Sequence, residues 1–138
     1  MRISLLAIGI LTFTLLSCEK NSGVNQNDDF STALLNQDKP ESTVRSWQQL
    51  MDNNDFNQAK QLADKNTLEF LSEFQQYMET MPEDTLKSNS KFISLRCSED
   101  RNKATCFAKI KDLSFQETYN DTFFLIKQAN KWLIATND

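Results

Sequence analysis

The chain opens on an apolar run from Ile3 to Leu16 and then loses hydrophobic periodicity until about residue 38. Beyond Asp38, apolar residues recur at helical spacing in three sets: Val44, Trp47, Leu50 and Met51; Phe56, Ala59, Leu62 and Ala63; and Leu68, Leu71, Phe74, Tyr77, Met78 and Met81. The first predicted helix opens at Asp38, with Glu41 as its capping-box partner and Pro40 in the first turn, where a missing N–H costs nothing. Asn53-Asn54-Asp55 ends that helix and starts the second, while Asn66 with Glu69 starts a third that Pro82 closes.

From Lys91 the period changes to two. If Cys97 faces Cys106 across an antiparallel pair, Leu95 faces Ala108 and Ile93 faces Ile110 on the cysteine side. The other side then pairs Ser94 with Lys109 and Phe92 with Lys111, and the charged turn between the strands has Asn102 as its expected positive-φ residue. Leu113 to Asn120 reads as a connection. A second hairpin, Thr122 to Thr136, turns at Gln128-Ala129-Asn130-Lys131. One of its faces carries Phe124, Ile126, Leu133 and Ala135, the other Phe123, Leu125, Trp132 and Ile134, so both are apolar. Helices followed by strands predict an α+β domain over 38–138, with N-terminal helices packed on a curved antiparallel sheet.

The composition removes whole classes of chemistry. Histidine is absent, which excludes imidazole acid–base catalysis and histidine metal sites. The two glycines, Gly9 and Gly23, precede the domain, so no phosphate-cradling glycine loop can form within it. Fifteen basic against nineteen acidic residues give a net charge of −4, which argues against nucleic acid as a partner.

Arg2 followed by Ile3 to Leu16 has the basic and apolar parts of a signal peptide, and the apolar run is shorter than a membrane span. Its end, Leu15-Leu16-Ser17-Cys18, resembles the lipobox of bacterial lipoproteins. The resemblance implies removal of residues 1–17 and lipidation of Cys18, with Glu19 in place of the aspartate that retains some lipoproteins at the inner membrane. The expected location is therefore the outer membrane, facing the periplasm. Residues 18–37, rich in Asn, Gln, Asp and Ser, read as a tether, with Ser31 to Leu35 as a short helical turn and Phe30 and Leu34 capping the domain. Because the mature chain is acidic, its membrane contact is expected through lipid alone.

With Cys18 lipidated, Cys97 and Cys106 remain as an even pair suited to a disulfide in an oxidising space. Two free thiols or a redox pair are the alternatives; a metal site would lack its third and fourth ligands. Trp47, Tyr77, Phe123, Leu125, Trp132 and Ile134 are candidates for a pocket or an interface. Lys103, Lys109, Lys111, Lys127 and Lys131 fall on neighbouring strands and read as a solvated surface that discourages edge-to-edge pairing. Asp112, Glu117, Tyr119 and Asp121 could suggest acid–base work, but nothing fixes their separation, so no catalytic residue and no cofactor is assigned. Asp84-Thr85-Leu86 resembles an O-glycosylation tripeptide of exported bacterial proteins.

Residues 38–138 resemble the nuclear transport factor two-like superfamily, in particular bacterial lipoproteins with a lumazine-binding-like cone. The residues that carry the resemblance are Pro40, Asp55-Phe56 with Ala59, and Phe123-Phe124-Leu125-Ile126-Lys127 followed by Lys131-Trp132-Leu133-Ile134; Asn130 stands where glycine is usual. The resemblance implies a pocket between helices and sheet, and a homodimer through the other sheet face. These readings converge on a membrane-anchored, non-enzymatic domain that binds or scaffolds a protein partner or a small apolar ligand. Two rivals are an isomerase- or dehydratase-like enzyme using pocket carboxylates and an immunity-type lipoprotein.

Overall fold

The computed structural model describes residues 36–82 and 87–137. The signal, Cys18, nearly all of the tether with Phe30 to Leu35, and Asp84-Thr85-Leu86 lie outside them. The architecture is α+β: helices α1 (Pro40–Asp52), α2 (Phe56–Ala59, continued by a 3-10 turn at Lys60–Leu62) and α3 (Lys65–Met78) precede strands β1 (Ser90–Asp100), β2 (Lys103–Asp112), β3 (Glu117–Gln128) and β4 (Lys131–Ala135). The strands form one antiparallel meander in the order β1-β2-β3-β4, with the helices against one face. Among the described residues no helix is long and apolar enough to cross a membrane.

The helices lie where the apolar spacing puts them, but their starts differ from the expected caps. Lys39 is the N-cap of α1 and no side chain caps it, so the Asp38–Glu41 box does not form. The Lys39 carbonyl instead accepts from the Thr43 amide and from the hydroxyls of Ser42 and Thr43. Asp64, not Asn66, caps α3 by accepting from the Thr67 amide, because the chain turns two residues earlier than Asn66. Asp55 caps α2 through the Gln58 amide, and Asn54 takes the left-handed conformation, φ 58°, that breaks α1 from α2. Asparagine tolerates that region better than most residues.

The first hairpin holds the expected register from Asp100–Lys103 through Cys97–Cys106 to Ser94–Lys109 and then slips. A bulge at Ile93 inserts one residue, so Phe92, not Ile93, faces Ile110, and Ile93 is 54% exposed. Arg101, not Asn102, carries the positive φ in the turn. The second hairpin has the expected register throughout, Phe124 opposite Ala135 to Gln128 opposite Lys131, and Ala129 and Asn130 both have positive φ as a type I′ turn requires. The expected connection is short: Leu113–Gln116 makes a turn, and β3 begins at Glu117.

The core forms between the helices and one sheet face. Val44, Trp47 and Leu50 of α1, Phe56, Ala59 and Leu62 around α2, and Leu71 of α3 meet Cys106, Ala108 and Ile110 of β2, Phe123 and Leu125 of β3, and Trp132 and Ile134 of β4. Gln37, the last tether residue by pattern, is part of this unit. Its carbonyl accepts from the Trp132 amide and its side chain donates to the Trp132 carbonyl, while the Asp64 amide donates to the Ile134 carbonyl. These bonds cover the β4 edge that would otherwise offer open pairing groups.

Candidate functional site

Burial decides what the candidate residues can do. Trp47, Phe123, Leu125, Trp132 and Ile134 are all at most 8% exposed and fill the helix–sheet core, so they present almost no surface to an outer partner. The register explains this: Phe123 lies opposite Cys106, which puts the whole set on the cysteine side of the sheet that the helices cover. Tyr77 is separated from them; it lies on α3 and is 56% exposed. The half-buried set Phe124, Ile126, Leu133 and Ala135 occupies the face away from the helices.

Cys97 and Cys106 form a disulfide across the β1–β2 pair, with Cys106 wholly buried. The aligned cysteines and the apolar alternation select the same pairing, and the bond ties the edge strand β1 to β2 directly under the core.

The polar centre of the fold is Asp52, at the last residue of α1 and only 8% exposed. Its Oδ1 accepts from Gln48 Nε2 at 3.0 Å, Ser88 Oγ at 2.9 Å and Ser90 Oγ at 3.1 Å, and its Oδ2 accepts from the Ser90 amide at 2.7 Å. An acid is unfavourable in the last turn of a helix, where the dipole's negative end lies, and burial adds a desolvation cost. Four donors offset both, and in doing so fasten the start of β1 to the end of α1. Tyr119, 40% exposed on β3, stands beside this cluster. Partial desolvation pushes its phenol above the ordinary value; Ser90 opposes this and the charges of Asp52, Asp121 and Asp112 reinforce it. The Asp52 carboxylate thus borders open space while accepting four hydrogen bonds from Gln48, Ser88 and Ser90.

Two cavities flank Asp52. An open groove of about 880 Å³ runs past Arg45, Gln48, Asn53, Lys87 and Lys91. A second opening of about 350 Å³ is lined by Met51, Phe74, Met78 and the 72%-exposed Phe115 together with the polar Gln48, Asp52, Asn54, Lys87 and Ser88. Sequence reasoning passed over Asp52; the available signal was an acid in the closing turn of an otherwise amphipathic helix.

The remaining acids are turn and strand residues. Asp112 accepts from the amides of Ser114 and Phe115 and so shapes the β2–β3 turn, and Asp121, exposed within β3, accepts from the Thr122 amide. Lys103, Lys109, Lys111 and Lys131 share the outer sheet face, whereas Lys127 lies on the other side with its ammonium 5.4 Å from the Trp132 ring centre. No cluster of three or more metal-capable side chains occurs among the described residues.

The chain matches no protein-family model and no curated protein. Among solved structures it has a likeness to the solution structure of a SEC-C motif containing protein from Rhodopseudomonas palustris, at 17% identity and a TM-score of 0.48, covering 74% of this chain and 79% of that one. At that similarity nothing is carried from one protein to the other.

Proposed function

We propose that the chain is a lipoprotein of a bacterial cell envelope, anchored through Cys18 to the outer membrane on its periplasmic side, with residues 38–138 forming a nuclear transport factor two-like cone that binds or scaffolds and does not catalyse. The observation that carries the anchor is the Leu15-Leu16-Ser17-Cys18 junction where the apolar run stops. The Cys97–Cys106 disulfide supports it, because such bonds persist outside the reducing cytoplasm.

The filled core supports binding over catalysis. The Asp52 carboxylate accepts four hydrogen bonds from Gln48, Ser88 and Ser90, the arrangement of a group that fastens α1 to the start of β1. The cavity beside Met51, Phe74, Met78 and Phe115 suits a small apolar ligand or an apolar side chain of a partner protein, since its thioethers and aromatic rings adapt to varied shapes. Mass spectrometry of the mature N-terminus tests the anchor: a diacylated or triacylated Cys18 is expected, and a mature chain beginning at any other, unmodified residue refutes it.

A further inference from the structure

Net charge conceals a strong segregation. Among the described residues the helical half, 36–82, holds eight acids and four bases, whereas 87–137 holds five acids and nine bases, so a half of charge −4 packs on one of +4. The strand register sharpens this. Alternation from the core residues Cys106, Ala108 and Ile110 puts Lys91, Arg96, Lys103, Lys109, Lys111 and Lys131 on the face away from the helices, where Asp100 is the one acid among the strand positions. All but Lys111 are exposed. Between and beside them the same face carries Phe107, 61% exposed, with the half-buried Phe124, Ile126 and Leu133, and the bulge adds Ile93.

We infer that this outer sheet face docks on anionic phospholipid headgroups of the membrane in which the chain is anchored, an inference that rests on the lipoprotein reading. Charge complementarity is the first argument: six cations on one side of a sheet are drawn to a negative surface, whatever the net charge of the whole chain. A second copy face to face is the wrong occupant, because it would set six cations against six. The exit of the tether is the second argument. Gln37 is bonded to β4 at the sheet edge, so the described chain enters the domain at the border of this face, and the roughly twenty residues that separate it from Cys18 correspond to a reach of about 25 Å from the lipid on the tether reading. The expectation that an acidic chain meets its membrane through lipid alone counts all charges together; the fold separates them.

An environment-sensitive fluorophore on Phe107→Cys, in the otherwise native full chain reconstituted into vesicles, reads the docking. The label is expected to report an apolar environment in phosphatidylglycerol–phosphatidylethanolamine vesicles, water in pure phosphatidylcholine, and water again at high salt. Lys103→Gln, Lys109→Gln and Lys131→Gln together are expected to lower the docked-to-free ratio on the order of a hundredfold, about fivefold per cation. Lys39→Gln with Lys65→Gln on the helical side, and a label on Glu73→Cys, are expected to change nothing. An equal signal in phosphatidylcholine overturns the inference, as does one that needs no vesicle and grows with protein concentration, which would mark an interface between copies. A signal only with polyglutamate overturns it in favour of an acidic protein partner. If Cys18 carries lipid and the label stays in water, docking is refuted while anchoring stands; if Cys18 proves unmodified, anchoring fails, and a phosphatidylglycerol-dependent signal from added vesicles still supports the face.

Discussion

Replacing Asp52 tests whether the polar cluster holds the fold or merely lines a cavity. In Asp52→Ala the Ser88 and Ser90 hydroxyls and the Gln48 amide can turn toward the open groove and find water. The Ser90 amide cannot, because the β1 backbone fixes its direction. Stranding one part-buried donor costs about 1 kcal/mol, and losing charge-assisted bonds adds to that, so a total of about 2–3 kcal/mol is expected. For a domain of this size each kcal/mol lowers Tm by roughly 4–8 °C, which makes the effect plain in a melt. Asp52→Asn retains the shape and one acceptor oxygen for the Ser90 amide, and it removes a negative charge from the helix's negative end. Its cost should be about 1 kcal/mol or less. Thermal and urea unfolding of the full chain, followed by circular dichroism, measures both variants, with an unchanged urea slope confirming that the denatured state is unaltered. An alanine variant within about 0.5 kcal/mol of wild type refutes the fastening role. An asparagine variant as damaged as alanine would mean that charge, not bond geometry, holds β1, and the argument would fail in that way.

Reducing the Cys97–Cys106 bond reopens a loop of about ten residues, and loop-closure entropy then predicts a loss of roughly 2.5 kcal/mol, read as a fall in Tm of about 10–20 °C; an unchanged melt counts against the staple. Tyr119 predicts a pH dependence. Its folded-state value is raised above the unfolded value near 10, so its contribution to stability is fully present below about pH 10 and fades as pH rises through the folded value. Ultraviolet titration should show a phenol ionising above the ordinary tyrosine value that is lost in Tyr119→Phe, and that variant should flatten the alkaline part of the stability profile; a titration unchanged at its alkaline end by Tyr119→Phe would contradict it.

The helical segments and the second hairpin were legible because their signals are local and redundant. The 3.6-residue spacing, Asn54 and Asp55 at the first break, and Asn130 in the last turn each specify backbone conformation through neighbours a few residues away. The disulfide register was legible for a related reason: two cysteines and an alternating apolar side select the same pairing. The bulge was not, since inserting Ile93 leaves the composition of β1 unchanged and its direction depends on what α1 presents to Phe92. Helix caps at Lys39 and Asp64 escaped because several polar residues near each start satisfy the same rule, and the path of the chain chooses among them.

By itself the sequence determined the element order, the α+β class, the pairing within the second hairpin and most of the first, and the absence of histidine and glycine-loop chemistry, all of which follow from residue type and near-neighbour spacing. Only the tertiary structure decided which face of the doubly apolar second hairpin is interior, because both faces have comparable hydrophobicity and the helices can cover just one. It also brought Asp52, Ser88, Ser90 and Tyr119 together from three elements. And it turned an acidic chain into one with a basic sheet face, because a sum of charges has no direction until the strands give it one.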